Sequence, residues 1–166
     1  MIKISKIVLT NSSPGLNANS EELAKIIIDR IGLMPRKKGS TDKMHNVLIE
    51  LYERSKDAYR EKKPESAVVT VENMALLAGI TRQTMYEYLN RWIDLNLISK
   101  TSYIKDGKVI IGYKLNGNTL ENAFEKVRQR VADNLDQTAE YIGEVQKLLK
   151  NEKISESQKA KLSGND

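Results

Sequence analysis

Two helix-start signals on either side of one glycine constrain the fold more than any other part of the sequence. Thr70 is placed to cap a helix that runs to about residue 78, Gly79 interrupts the pattern, and Thr81 is placed to cap the next helix. Apolar pairs at the N′ and N4 positions flank both caps, Val69 with Met74 and Ile80 with Met85. The pattern predicts two helices that leave a tight glycine turn at a fixed angle.

The second of these helices has an apolar side and a polar side. Its apolar residues recur at helical spacing and are Met85, Tyr88, Leu89, Trp92 and Ile93. A step of about 100° per residue then points the polar residues the other way: Gln83, Tyr86, Glu87 and Asn90, with Arg82 at the leading end. We expect this polar side to face solvent or a partner.

Residues 100–105 and 108–115 are β-rich, and Asp106-Gly107 joins them. An Asp-Gly pair supplies the two positive-φ positions of a type I′ turn. The sequence therefore predicts an antiparallel hairpin directly after the second helix.

The N-terminal residues predict a strand and a short helix. Residues 2–9 are β-branched and compatible with a strand. Asn19 with Glu22 forms a capping-box pattern ahead of an amphipathic helix, which we expect to end at Gly32.

A longer helical pattern follows, with Ser40 or Thr41 as its cap and an end before Pro64. Residues 67–69 then predict a very short strand. The single histidine, His45, lies beside the apolar stripe of this helix. Without a second histidine or a carboxylate at i+4, we expect it to be a surface or boundary residue rather than a metal ligand.

The order helix, short strand, helix, glycine turn, helix and hairpin over residues 40–115 resembles that of winged helix-turn-helix DNA-binding regulators. The resemblance places the small Ala75 where two helices cross and Gly79 at the turn. The apolar residues that it places in the shared core are Met74, Ile80, Met85 and Tyr88. It implies a mostly α-helical fold with a small β-hairpin wing, in which the recognition helix, residues 82–95, enters the major groove N-terminus first.

The resemblance also implies which side chains contact DNA. On the recognition helix and its cap these are Thr81, Arg82, Gln83, Thr84, Tyr86, Glu87 and Asn90. Arginine suits guanine, Gln and Asn suit adenine, Glu suits cytosine, and Tyr suits thymine methyl groups or phosphates. The candidates for phosphate contacts are Lys105 and Lys108 at the wing tip, and Arg36, Lys37 and Lys38 before the domain's first helix. Any one of these lysines can equally be a solvated surface residue, and Glu87 and Asp94 oppose binding unless cations or distance offset their charge.

Residues 118–151 show a heptad pattern. One core position holds Leu120, Val127, Asn134, Tyr141 and Leu148, the other holds Phe124, Val131, Thr138 and Val145, and Leu135, Ile142 and Leu149 widen the stripe. A helix of about 30 residues extends some 45 Å, too long to bury its apolar side against one small domain. The pattern predicts a homodimer through this helix, in an architecture that resembles PadR-like and MarR-like regulators. The alternative is a helix that folds back over residues 19–34 of its own chain, and the direction of pairing stays open.

Composition narrows the class of protein. The 166 residues carry a net charge of +5, and residues 36–115 hold 15 Lys and Arg against 10 Asp and Glu, so the basic excess lies in the segment that we expect to bind DNA. With no cysteine and one histidine, the chain offers little for metal or nucleophilic chemistry, and it has no Gly-rich phosphate loop or HExxH motif. We therefore expect no enzyme, cofactor or metal. No apolar run approaches the roughly 20 residues of a membrane span, so we expect a cytoplasmic protein.

The predicted organisation has four parts: a strand and helix extension over residues 1–39, a winged helix-turn-helix domain over 40–115, a long coiled-coil-type dimerisation helix over 116–152, and a disordered tail over 153–166. The expected function is sequence-specific binding of double-stranded DNA by a homodimer, as in a transcriptional regulator. The alternative is a protein-interaction module of a replication, plasmid-partition or transcription assembly. No set of residues predicts a small-molecule effector.

Overall fold

A computed structural model describes residues 6–34 and 43–164 as mostly helical, with one hairpin. The helices are α1 (Ser20–Arg30), α2 (Met44–Glu61), α3 (Val71–Ala78), α4 (Arg82–Asp94) and α5 (Leu120–Ser163), and a 3-10 turn (Pro64–Ala67) follows α2. The strands β1 (Ile98–Lys105) and β2 (Lys108–Leu115) form an antiparallel pair. The chain divides into two compact units, one ending at Arg128 and the other beginning at Gln129. The predicted helical fold with a small hairpin and a long C-terminal helix is confirmed.

Local side-chain caps start α3 and α4 where the sequence predicts them. Thr70 Oγ1 accepts a hydrogen bond from the Asn73 N–H at 3.3 Å, and Thr81 Oγ1 accepts one from the Thr84 N–H at 3.2 Å. Gly79 ends α3 with φ of +70°, a conformation that costs glycine little. The predicted pair of helices around a glycine turn is therefore confirmed.

The four helices α1, α2, α3 and α4 share one apolar core with the base of the hairpin and the start of α5. Its fully buried side chains include Ile28, Leu51, Met74, Met85, Leu89, Trp92 and Ile98. Each such side chain contributes about 1.5–3 kcal/mol of burial free energy. The face of α4 that carries Met85, Leu89 and Trp92 is thus fixed against the rest of the first unit, which sets the direction of its other face.

The hairpin has the predicted two-residue turn and is tied to the segment before α3. Asp106 and Gly107 have φ of +52° and +76°, as a type I′ turn requires. Val69 and Tyr113 exchange two backbone hydrogen bonds of 2.8 Å. The short strand predicted over residues 67–69 is thus reduced to one bridge at Val69, because Ala67 belongs to the 3-10 turn. A Cβ atom on Gly112 would lie 2.4 Å from Val68 Cγ1, so only glycine allows this close approach.

The N-terminal half corrects two predictions. The cap of α1 is confirmed, since Asn19 Oδ1 accepts the Glu22 N–H at 2.9 Å. Residues 6–9, however, form no strand, and residues 2–5 lie outside the described residues. The proposed caps Ser40 and Thr41 also lie outside the described residues, and α2 has Lys43 as its N-cap, without a side-chain hydrogen bond. His45 is not a surface residue: it is 4% exposed, and its Nε2 lies 3.4 Å from Glu21 Oε1.

The C-terminal helix, α5, corrects two further predictions from the sequence. It continues to Ser163, past the predicted end near residue 152, because the polar residues 153–163 favour a helix and include no proline or glycine. Val127, predicted to face a second chain, is 1% exposed in the core of its own chain together with Ala123, because the start of α5 packs on the first unit. From Asn134 onwards the described side chains of α5 are exposed.

Among the described helices, none combines the length and the apolar character that crossing a bilayer requires.

Candidate nucleic-acid interface

The exposed face of α4 carries the predicted polar residues. Arg82, Gln83, Glu87 and Asn90 are exposed and Tyr86 is 41% exposed, while Met85 and Leu89 on the opposite face are buried. This arrangement follows from the helical spacing of the apolar residues. The resulting surface combines a guanidinium, two amide-bearing side chains, a phenol and a carboxylate on successive turns.

Arg82 already has partners within its own chain. Its Nη1 lies 3.4 Å from Glu72 Oε1 of α3, and its guanidinium carbon lies 5.8 Å from the centre of the Tyr86 ring. The side chains of Arg82 and Glu72 are 63% and 57% exposed, so the ion pair is weak and open to competition from an anion. Glu72 was missed by the sequence reasoning, because the pair depends on how α3 and α4 cross.

The two threonines at the start of α4 have different surroundings. Thr81 is exposed, and its hydroxyl donates to Thr84 Oγ1 at 2.8 Å while accepting the Thr84 N–H. Thr84 is half-buried. Thr81 therefore serves first as the helix cap, which orients the leading turn that carries Arg82 and Gln83.

The tip of the hairpin presents two lysines side by side. Lys105 and Lys108 are exposed and face each other directly across the two strands. Like charges in this position repel each other, so an anion between or beside them would relieve an electrostatic cost. The other predicted basic group, Arg36, Lys37 and Lys38, lies outside the described residues.

The hairpin also carries an exposed apolar face that the sequence reasoning missed. Ile104, Val109 and Ile111 are 75%, 66% and 54% exposed. They share the face that, nearer the base of the hairpin, buries Tyr113 and Leu115, because side chains alternate along a strand. The period-2 pattern of β2 could have predicted this face, but not where the core beneath it ends.

Tyr113 links α4 to the hairpin electrostatically. Burial, and then the neighbouring Tyr86 phenol, raise the pKa of Tyr113 above its usual value of 10.0. Tyr86 on the exposed face of α4 is therefore close enough to Tyr113 of β2 to affect its ionisation.

The two acidic residues of α4 differ in exposure. Asp94 lies at the end of α4 and is half-buried, whereas Glu87 is exposed on the same face as Gln83 and Asn90.

An apolar cleft of about 330 Å³ lies between α1, α2 and the start of α5. Its lining includes Ile27, Ile31, Leu48, Leu97, Leu120 and Phe124. Two predicted dimer residues, Leu120 and Phe124, thus line a cleft of their own chain, in partial agreement with the fold-back alternative.

No cluster of metal-ligating side chains occurs in residues 6–34 and 43–164. Comparison with protein-family models, curated proteins and solved structures gave no match.

Proposed function

We propose that this protein binds double-stranded DNA sequence-specifically as a homodimer, with residues 40–115 acting as a winged helix-turn-helix domain. In this proposal α4 enters the major groove and the hairpin lies on the backbone or in the minor groove. The observation that carries it is the fixed orientation of α4, whose apolar face is buried while Arg82, Gln83 and Asn90 are exposed. These three side chains suit the edges of guanine and adenine.

Charge supports the same function. The facing lysines at the hairpin tip, Lys105 and Lys108, suit phosphate groups, which give affinity without sequence preference. Arg82 is held by an exposed and therefore weak ion pair, so DNA can displace Glu72 at little cost. Regulation of transcription is the role that we propose for such binding.

The second unit supports the proposed homodimer. Between Val131 and Leu149 its helix carries an unpartnered apolar stripe, which includes Leu135, Tyr141, Ile142, Val145, Leu148 and Leu149 at 50–61% exposure. A stripe of this kind at heptad spacing is typical of a helix that pairs with another. Sedimentation equilibrium should give a dimer for the wild type and a monomer for Ile142→Asp.

Two exposed arginines provide a matched test of DNA binding. Arg82 of α4 and Arg60 of α2 are 63% and 69% exposed, and each lies within 3.4 Å of a carboxylate, Glu72 or Asp57. Arg82→Ala should weaken binding of a labelled duplex by roughly 5- to 150-fold, whereas Arg60→Ala should leave it unchanged. Wild-type affinity should also fall steeply as salt rises, with a slope of about −0.9 per neutralised phosphate. Equal effects of both substitutions, or binding that salt does not weaken, would refute the proposal.

A second candidate function is protein binding through the apolar face of the hairpin. Ile104, Val109 and Ile111 favour it, because contiguous exposed β-branched residues are typical of interaction surfaces. Replacing all three with Thr keeps the strand preference and removes the apolar face. Protein binding becomes the better explanation if two results are found together. The triple variant has the same DNA affinity as the wild type, and the wild-type affinity for duplexes neither depends on salt nor differs between sequences.

A further inference from the structure

A polar pocket of about 260 Å³ lies in the first unit, and none of its lining residues is a predicted DNA contact. Its lining comes from the C-terminal half of α2, the 3-10 turn, the end of β2, the loop after it and α5. The residues that matter below are Ser55, Lys114, Gly117, Asn118 and Lys126. None was singled out by the sequence.

The pocket lining includes a mostly buried serine whose hydroxyl has no hydrogen-bond partner among the described residues. Ser55 is 5% exposed, and among the described residues its hydroxyl makes no hydrogen bond. A serine in a helix commonly bonds the carbonyl four residues earlier when nothing else is available. The Ser55 hydroxyl does not do so, and it therefore remains a donor for a ligand in the pocket.

The charges that line the pocket are all positive. Lys114 and Lys126 lie on its wall, and its lining includes no Asp or Glu. Within residues 6–34 and 43–164, neither lysine lies within 4.0 Å of a carboxylate. Lys114 is also half-buried, so its charge is less well solvated than that of a surface lysine.

Backbone donors lie in the same wall. Gly117 and Asn118 both line the pocket, and in the described part of the chain their N–H groups have no acceptor. Position 117 requires glycine, since a Cβ there would lie 2.8 Å from the Ala123 nitrogen. Two cations, a hydroxyl and two free N–H groups form a donor set without an opposing acceptor charge, which is the chemistry that binds an oxyanion.

We propose that this pocket binds a small phosphate-bearing molecule, with its phosphate group held by Lys114, Lys126 and the Ser55 hydroxyl. The volume suits a phosphomonoester of modest size rather than a polymer. The proposal goes beyond DNA binding and does not depend on it.

The test uses inorganic phosphate and the full-length protein. In a ¹⁵N–¹H correlation spectrum, phosphate at constant ionic strength should shift the amides of Ser55, Gly117 and Asn118 saturably, at concentrations of about 1–10 mM. Ser55→Ala should weaken this binding about tenfold, because a hydrogen bond to a charged group is lost, without lowering the urea midpoint of unfolding. Lys126→Ala should weaken it similarly, and Lys25→Ala, an ion-paired surface lysine of α1, should not.

Three outcomes would overturn the proposal, and a fourth separates it from the proposed function. Shifts that do not saturate, or that persist in Ser55→Ala and Lys126→Ala, exclude a phosphate site in the pocket. Shifts confined to the start of α4 and the hairpin tip assign the phosphate to the proposed DNA-binding surface instead. Duplex DNA is titrated separately: displacement of phosphate from Ser55 by DNA would make the pocket a DNA contact rather than a small-molecule site. A protein that binds phosphate here but no duplex keeps this proposal and refutes the proposed function.

Discussion

Glu72→Gln should raise the affinity for duplex DNA by a factor of about 1.4 to 5. Glu72 Oε1 lies 3.4 Å from Arg82 Nη1, and DNA must break this ion pair before Arg82 can contact a base or a phosphate. Both side chains are more than half exposed, so the pair is worth about 0.2–1 kcal/mol. That energy converts to the stated factor. Glutamine keeps the size of the side chain and removes its charge.

The assay is fluorescence anisotropy of a labelled duplex at about 0.1 M salt, where exposed charges are only partly screened. A matched control is Glu53→Gln, which removes a similar ion pair, with Lys56 on α2, and should not change DNA affinity. The Glu72 gain should shrink in an Arg82→Ala background, because there is then no arginine to release. A gain of the same size in the Arg82→Ala background would show general charge repulsion between Glu72 and DNA. If Glu72→Gln gives no gain in the otherwise wild-type protein, the role of Arg82 in binding is refuted.

Three further predictions concern stability, which Trp92 fluorescence reports because it is the single tryptophan and is fully buried. Gly112→Ala should destabilise the first unit by about 1–3 kcal/mol in urea unfolding, because its Cβ would overlap Val68; an unchanged midpoint would contradict the close approach. Thr81→Ala should cost about 1 kcal/mol by removing the cap of α4, and Thr81→Ser should restore most of it. The raised pKa of Tyr113 gives stability that is present below pH 10.0 and lost as pH rises through the raised value, so Tyr113→Phe should lose less stability than the wild type when the pH is raised above 10.0.

Features set by neighbours a few residues apart were predictable from the sequence. The Thr70 and Thr81 caps, the left-handed Gly79 and the Asp106-Gly107 turn all depend on contacts within about five residues, and all are confirmed. The orientation of α4 was predictable for a related reason, since helical spacing alone separates Met85 and Leu89 from Gln83.

Features set by packing between distant segments were not predictable. His45 is buried because Glu21 and α1 lie over it, and nothing near position 45 encodes that cover. The heptad pattern correctly predicts an apolar face on α5, but it does not say which chain covers that face, so Val127 was wrongly assigned to a dimer contact. Polar composition after residue 152 predicts disorder, which is wrong up to Ser163 because helix propensity there is high.

DNA reading by α4 is tested by selecting bound sequences from a random duplex library, at low salt and with full-length protein. We expect enrichment of a palindromic site whose halves lie about one helical turn apart, or a multiple of that spacing. We also expect Gln83→Ala to relax the preference at one position in each half without abolishing binding. If the library shows no enrichment, or if Gln83→Ala selects the same motif with the same strength, the exposed face of α4 does not read DNA.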